Sequence, residues 1–475
     1  MYARRKKFPL LPFAAIGLII GILIVAVIAA PRVVEITPDG QEISSTSKII
    51  IEFNQPMDQA SVESHLTIKL FEGGRLSWEG NSLHIEPEQP WKTGETVEVH
   101  LGPGARSLRI LPTLLGQTWS FVVGAPRLAY LWPAYGAANI YIQGENPAEE
   151  PVQLTHSDTG ILDFTVSSDR NRIAYTVPVV QGSNEIRLLD MITSEDRLIY
   201  TCDADAQCQA PSLSPDGHWL AFERSERVEG AGGKLITNAR AVWLMSLQDE
   251  GDFGPVFDAT HDLMGPQWSP LGELMVYDNT LKAFVLLETG NPDTPTLFIP
   301  SGLGQEGTWS PQGADFVYAE IVFPEEVLGE AGIEALDFPV GEALFFSHLY
   351  KHVMSTGDVR DISPGLDVMV EDSSPAYSPD GRWLAFVRKY LDADRWTMGR
   401  EVWLMDVSSG DVRRLTDDPT ANFSSISWSL DSQRLTFMRS NLASPADMPE
   451  VWVWNMTEGE ATEFIGGGYL PQWTR

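Results

Sequence analysis

The sequence predicts an all-β fold, a small β-sandwich followed by a β-propeller, downstream of one apolar helical segment. Three observations predict it. Residues 32–124 alternate apolar and polar positions in short runs separated by Gly, Pro and Asn, the period of half-buried strands. From Arg127 onward a unit built on Ser-Pro-Asp-Gly between two apolar strands recurs, and internal repetition at this period means a repeat architecture. At 475 residues the chain exceeds one ordinary core, while 43% hydrophobic residues and 15 Trp exclude a disordered chain.

The N-terminus comes first. Arg4, Arg5, Lys6 and Lys7 precede an uncharged stretch, Leu10 to Ala30, long enough to cross a bilayer as a helix. A cleaved secretory signal is the alternative, but the run is longer than such a region and Pro31 follows it. The expectation is a single-pass protein of the cell membrane, with residues 1–9 cytoplasmic, 10–30 spanning and the rest extracytoplasmic. The chain carries 65 acids against 33 bases, a net charge of −32. That balance excludes nucleic acid as a partner, since phosphate backbones are repelled.

The sandwich is expected over residues 31–125. Lys48–Phe53, Ser82–Pro87, Thr96–Leu101 and Thr118–Val123 read as strands, with turns at Pro38-Asp39-Gly40, Gly73-Gly74, Gly80-Asn81 and Gly102-Pro103-Gly104. The pieces VVEITPDG, IIIEFNQPMD, SLHIEPEQPWKTGETVEV and TWSFVV resemble the bacterial Ig-like domain of the S-layer-protein (SbsA) type, most specifically at Phe53-Asn54-Gln55-Pro56-Met57-Asp58. The resemblance implies a spacer.

The propeller is expected over residues 126–475. Pro211–Phe222, Pro266–Tyr277, Thr308–Tyr318 and Pro375–Phe386 align without gaps over a common core, with weaker copies at Thr165–Tyr175 and Ser427–Phe437. Proline presets the turn, Asp bonds back to the backbone and Gly takes the left-handed position, giving a hairpin. Third strands follow at Ala241–Leu247, Glu401–Val407 and Glu450–Met456, and four antiparallel strands make one blade. The anchors Ser167, Ser214, Ser269, Ser310, Ser378, Ser429 and Thr474 are spaced by 41 to 68 residues. The N-terminal side lacks a first strand, which Pro471–Arg475 supplies, so both ends close one blade. Seven blades are expected, or six if the copy at Ser167 is not a blade. The repeat resembles the WD40-like propellers of the TolB kind, loosely at Ser167 and Ser429, and the resemblance implies an extracytoplasmic platform that holds peptides or proteins over a central channel.

Catalytic motifs are missing: the sequence holds no Gly-x-Ser-x-Gly, His-Glu-x-x-His, P-loop or EF-hand loop. Gly302–Gly307 (GLGQEG) spells a dinucleotide fingerprint but precedes a blade strand, so it reads as a loop. His348 and His352 share a face, with no third zinc ligand to name. Asp203 with Asp205 and Asp392 with Asp394 are candidate Ca²⁺ ligands lacking the longer ligand series; no other cofactor is indicated. Cys202 and Cys208, the two cysteines present, are candidates for a local disulfide. The tryptophans that recur at blade positions read as core, whereas Trp132 and Trp396 lie off the repeat and are candidate sugar platforms.

Between two strands of the blade anchored at Ser310 lies an acidic, amphipathic insertion, Phe323 to Glu342. Its candidate partner-binding residues are Glu325, Glu326, Val327, Leu328, Glu330, Ile333, Glu334, Leu336 and Asp337, since propeller insertions cluster on one face and carry binding. The function expected is that of a non-enzymatic, membrane-anchored scaffold binding a protein or peptide. A glycan-binding protein is the alternative, and so is a hydrolase or lyase, which would need carboxylates from several blades converging at the channel entrance.

Overall fold

The computed structural model describes residues 29–474 apart from 39–41, 44–46, 70–72, 89, 180–181, 230–234, 249–252, 259, 324–345 and 364–368. The chain divides into two compact units between Ala125 and Pro126.

In the first unit, Val33–Thr37, Ile49–Phe53, Ser82–Pro87 and Gly74–Glu79 form one sheet. Glu42–Ile43, Gln117–Val123, Thr96–Leu101 and Leu66–Lys69 form the other. Alternation along each strand turns Ile49, Ile51, Phe53, Leu83, Ile85, Val97, Val99, Phe121 and Val123 into a common core. The Phe53–Asp58 motif has a structural cause at nearly every position. Phe53 and Met57 are buried in that core, and the Asn54 side chain accepts the Arg32 N–H at 2.9 Å. Asp58 caps the short helix Gln59–His65 by accepting the Ser61 N–H at 3.2 Å.

The second unit is a β-propeller of successive antiparallel sheets. Leu128–Trp132, Asn139–Gln143 and Val152–Gln153 form the first, with the C-terminal Tyr469–Trp473 paired to Leu128–Trp132 as its innermost strand. Asp163–Val166, Arg172–Pro178, Asn184–Asp190 and Asp196–Thr201 follow, so the weak repeat at Ser167 does build a sheet. Next come Ala206–Leu213, Trp219–Glu229, Ala241–Ser246 and Phe253–Pro255, then Leu263–Trp268, Leu274–Asp278, Ala283–Glu288 and Asn291–Pro300. Thr308–Trp309, Asp315–Val322, Phe346–Val353 and Val359–Asp361 are joined to Val370–Tyr377, Trp383–Tyr390, Glu401–Asp406 and Val412–Arg414 by the single parallel pair Ser347 and Glu371. Ala421–Trp428, Arg434–Asn441, Glu450–Asn455 and Glu460–Gly466 complete the series.

The repeated serine is a turn device. Ser214, Ser378 and Ser429 each donate to the Asp two residues on at 2.5 Å and accept the N–H five residues on at 2.9 Å. All three are buried, with their hydroxyls engaged in the turn. Antiparallel order then decides which loops share a face. First-to-second and third-to-fourth turns lie on one face, and second-to-third loops lie with the inter-sheet connections on the other.

The expected membrane anchor and cell-membrane localisation are corrected here. Among the described residues no helix is long and apolar enough to cross a membrane, and residues 1–28 lie outside the described ones. The apolar run Leu10–Ala30 therefore has no spanning helix to support it, and the localisation built on it is withdrawn.

Candidate binding channel

The innermost strands share one irregularity. Pairing with the second strand slips between Gln209 and Ser212, Met264 and Gln267, Ser373 and Ala376, Ser424 and Ser427, and Tyr469 and Gln472. The residue four before the anchor has positive φ at Ala210 (51°), Gly265 (61°), Ser374 (51°), Ser425 (54°) and Leu470 (50°). This is a β-bulge, which leaves backbone groups unpaired within its own sheet and re-aims the neighbouring side chains. The equivalent positions in the two remaining inner strands are Asp163 and Glu306.

Bonds between neighbouring sheets absorb several of the groups thus freed. Asp163 accepts the Ala210 N–H at 2.6 Å, and Glu223, opposite Gln209 on the second strand, accepts the Gly265 N–H at 2.8 Å. Gln267 donates to the Gly307 carbonyl at 2.7 Å, and Tyr377 N–H donates to Thr308 at 3.2 Å. Trp428 Nε1 donates to the Ala376 carbonyl at 3.0 Å. Gln472 accepts the Val166 N–H at 3.0 Å and donates to the Phe164 carbonyl at 2.9 Å.

Glu306 differs. It lies within the glycine-rich segment, where Gly304 packs on the Tyr277 ring and Gly307 on Phe316, closer than a side chain would permit. That packing explains the glycines and confirms the loop reading of Gly302–Gly307. The Glu306 carboxyl forms no hydrogen bond or ion pair among the described residues, and its pKa is raised by burial first and by Glu223 second. Its side chain is exposed to water although protein surrounds it on several sides. Asp163 is also raised, by burial above all, against the bonds from Thr176 and the Ala210 N–H. Glu223 adds charge repulsion to both groups.

Beside Glu306 opens a cavity of about 480 Å³. Its wall is assembled from equivalent positions of three successive inner strands: Gln305-Glu306-Gly307, Ser373-Ser374-Pro375 and Ser424-Ser425-Ile426. Arg400 and Asn422 also line it, and Arg400 is already held by Glu371 at 2.8 Å.

The residues singled out from the sequence lie elsewhere. The insertion residues Glu325, Glu326, Val327, Leu328, Glu330, Ile333, Glu334, Leu336 and Asp337 fall outside the described residues. Cys202 and Cys208 are buried and joined as a disulfide, with Cα atoms 6.2 Å apart. Asp203 is held by Arg224 at 2.7 Å and Asp392 by Arg395 at 2.8 Å. No metal-binding group of three or more His, Cys, Asp or Glu occurs among the described residues. His348 and His352 are both buried; His348 pairs with Asp361 at 2.7 Å, and burial lowers the pKa of His352. Trp132 and Trp396 are 37% and 39% exposed; Trp132 ends the second strand Leu128–Trp132, and Trp396 lies in the loop between Trp383–Tyr390 and Glu401–Asp406.

Residues 27–123 match the bacterial Ig-like domain. The Ig-like match carries no S-layer subtype. No curated protein matches the chain. TolB from Acinetobacter baumannii aligns over 94% of this chain and 99% of its own, at 14% identity and a TM-score of 0.43. The β-propeller domain of the Trilobed protease from Pyrococcus furiosus aligns over 64% and 84%, at 12% identity and a TM-score of 0.44. A prolyl endopeptidase aligns over 72% of this chain but 49% of its own length, at 14% identity and a TM-score of 0.48. The second unit is thus similar to TolB and other propellers, and its assignment rests on the strand pairing above.

Proposed function

We propose that this protein is a non-catalytic binding protein: a seven-bladed propeller, closed by its two chain ends in one blade, that receives a protein or peptide partner at its central channel, with the Ig-like domain as spacer. The observation that carries the reading is the cavity of about 480 Å³ built from equivalent positions of three inner strands. A wall of backbone bulges and small hydroxyl side chains suits an extended polypeptide, which supplies donors and acceptors along its length. Catalysis is disfavoured by the state of the carboxylates. Asp163 and Glu223 are committed to backbone N–H groups of the next sheet, so Glu306 has no free partner with which to divide acid and base roles.

The second reading, glycan binding, is favoured by Trp132 and Trp396, partly exposed at the second-to-third strand ends of their sheets. A peptide array and a glycan array probed with the full chain, beside Ser424→Trp to fill the cavity and Trp396→Ala, separate the two. Peptide binding lost in Ser424→Trp and kept in Trp396→Ala supports the channel. Glycan binding lost only in Trp396→Ala replaces it.

A further inference from the structure

Resting on that reading, we propose that the channel cavity is a socket for a basic side chain, a lysine or arginine of the partner segment, with Glu306 as its counter-ion. Two independent observations meet there. Glu306 lines the cavity with no hydrogen bond or ion pair. Ser373, only 6% exposed, lines the same cavity with its hydroxyl unbonded among the described residues. An ammonium or guanidinium group seated in the cavity matches the Glu306 charge and gives the Ser373 hydroxyl a donor. The other charge on the wall, Arg400, is paired through Nη2 with Glu371 at 2.8 Å, while its buried Nε has no partner among the described residues.

The remaining chemistry narrows the guest. Ser374, Ser424, Ser425 and Asn422 add short polar side chains that receive N–H donors. Phe423, the aromatic residue of the wall, is buried in the core between sheets and offers no face for a sugar ring to stack on. An anionic guest would meet Glu306 itself. At −32 overall, the chain also steers cations toward it.

The test uses n-butylguanidinium, with neutral butyramide and anionic butyrate as controls, titrated into the full chain and followed by ligand-observed NMR. The expected result is saturable binding of the cation alone, weakened at least tenfold in Glu306→Gln, weakened by added salt and abolished in Ser424→Trp. Glu306→Asp keeps the charge and retains part of the affinity, which separates charge from folding. Equal binding of the cation to wild type and Glu306→Gln overturns the socket, as does equal binding of butyramide. Peptides from the array serve as the second arm. If they bind the channel but tolerate replacement of every Lys and Arg, the socket fails while the binding function stands. If no peptide binds and the cation still requires Glu306, the socket stands and the polypeptide reading fails.

Discussion

Asp372, on the inner strand Val370–Tyr377, and Glu306, just before the strand Thr308–Trp309, differ in what surrounds their carboxyl groups. Asp372 is fully buried and gripped by Arg388 Nε and Nη2, both at 2.6 Å, with Ser363 adding a hydrogen bond at 2.6 Å. Phe386, Tyr390 and Trp403 pack around the same guanidinium, with ring centroids 5.3 to 5.8 Å from it. Glu306 has a cavity where Asp372 has an arginine. A buried charge paired on both carboxylate oxygens holds a fold in one arrangement. A walled charge left unmatched destabilises the free protein and is retained where something else supplies the match.

The sharpest way to break this contrast is to strip Asp372 of its partner. Arg388→Ala leaves a buried carboxylate uncompensated and is expected to lower stability by about 3–5 kcal/mol, read from the urea midpoint. Asp372→Asn combined with Arg388→Met is expected to recover most of that loss, because both charges leave together. A double variant as unstable as Arg388→Ala would mean that packing, not charge, dominates the site.

Next in size is the Cys202–Cys208 pair, which closes a loop with a sequence separation of 6. Replacing both by Ser is expected to cost about 2 kcal/mol by loop-closure entropy. Intact mass after alkylation in denaturant under non-reducing conditions checks the premise: no added mass on the wild type means the bond is formed. Labelling of both cysteines would remove the basis of the prediction.

How much of this was legible beforehand follows from what each element depends on. The Ser-Pro-Asp-Gly turns are local chemistry, so Ser214 and Ser378 placed their hairpins within a residue or two. The pairing of Tyr469–Trp473 with Leu128–Trp132 was readable because a first strand was missing at one end and left over at the other. The carboxyl neighbourhood was not readable in the same way, because Asp163, Glu223 and Glu306 are far apart in sequence and interact only when the sheets are arranged. One signal was available: counting four residues back from each anchor picks out Asp163 and Glu306 among Ala210, Gly265, Ser374, Ser425 and Leu470. The letters of Gly302–Gly307 drew attention to phosphate binding, when the glycines answer to Tyr277 and Phe316.

Glu223→Gln sharpens the contrast from the other side. The carboxylate accepts from Gly265 N–H and from Gln209 Nε2, both at 2.8 Å. An amide keeps the shape but loses charge assistance, at a cost of about 1 kcal/mol. The same change removes the charge that helps raise Glu306 and Asp163, so both carboxyls are expected to titrate lower, measured by side-chain carboxyl NMR.

The smallest effect carries the opposite sign. The folded state raises the pKa of Glu306, chiefly by burial, so folding favours its protonated form. Its contribution to stability is therefore fully present below the unfolded glutamate value of about 4.3, and is lost as pH rises through the higher folded value. Glu306→Gln mimics the protonated carboxyl at every pH. Urea midpoints of wild type and Glu306→Gln should therefore coincide near pH 4 and separate toward pH 8, with the variant the more stable. A variant less stable than wild type at pH 8 would mean that the ionised carboxylate is matched within the fold, and Glu306 would join Asp372 as a structural charge. A variant more stable at pH 8 that also loses the cation would tie the cost in stability to the binding of the guest.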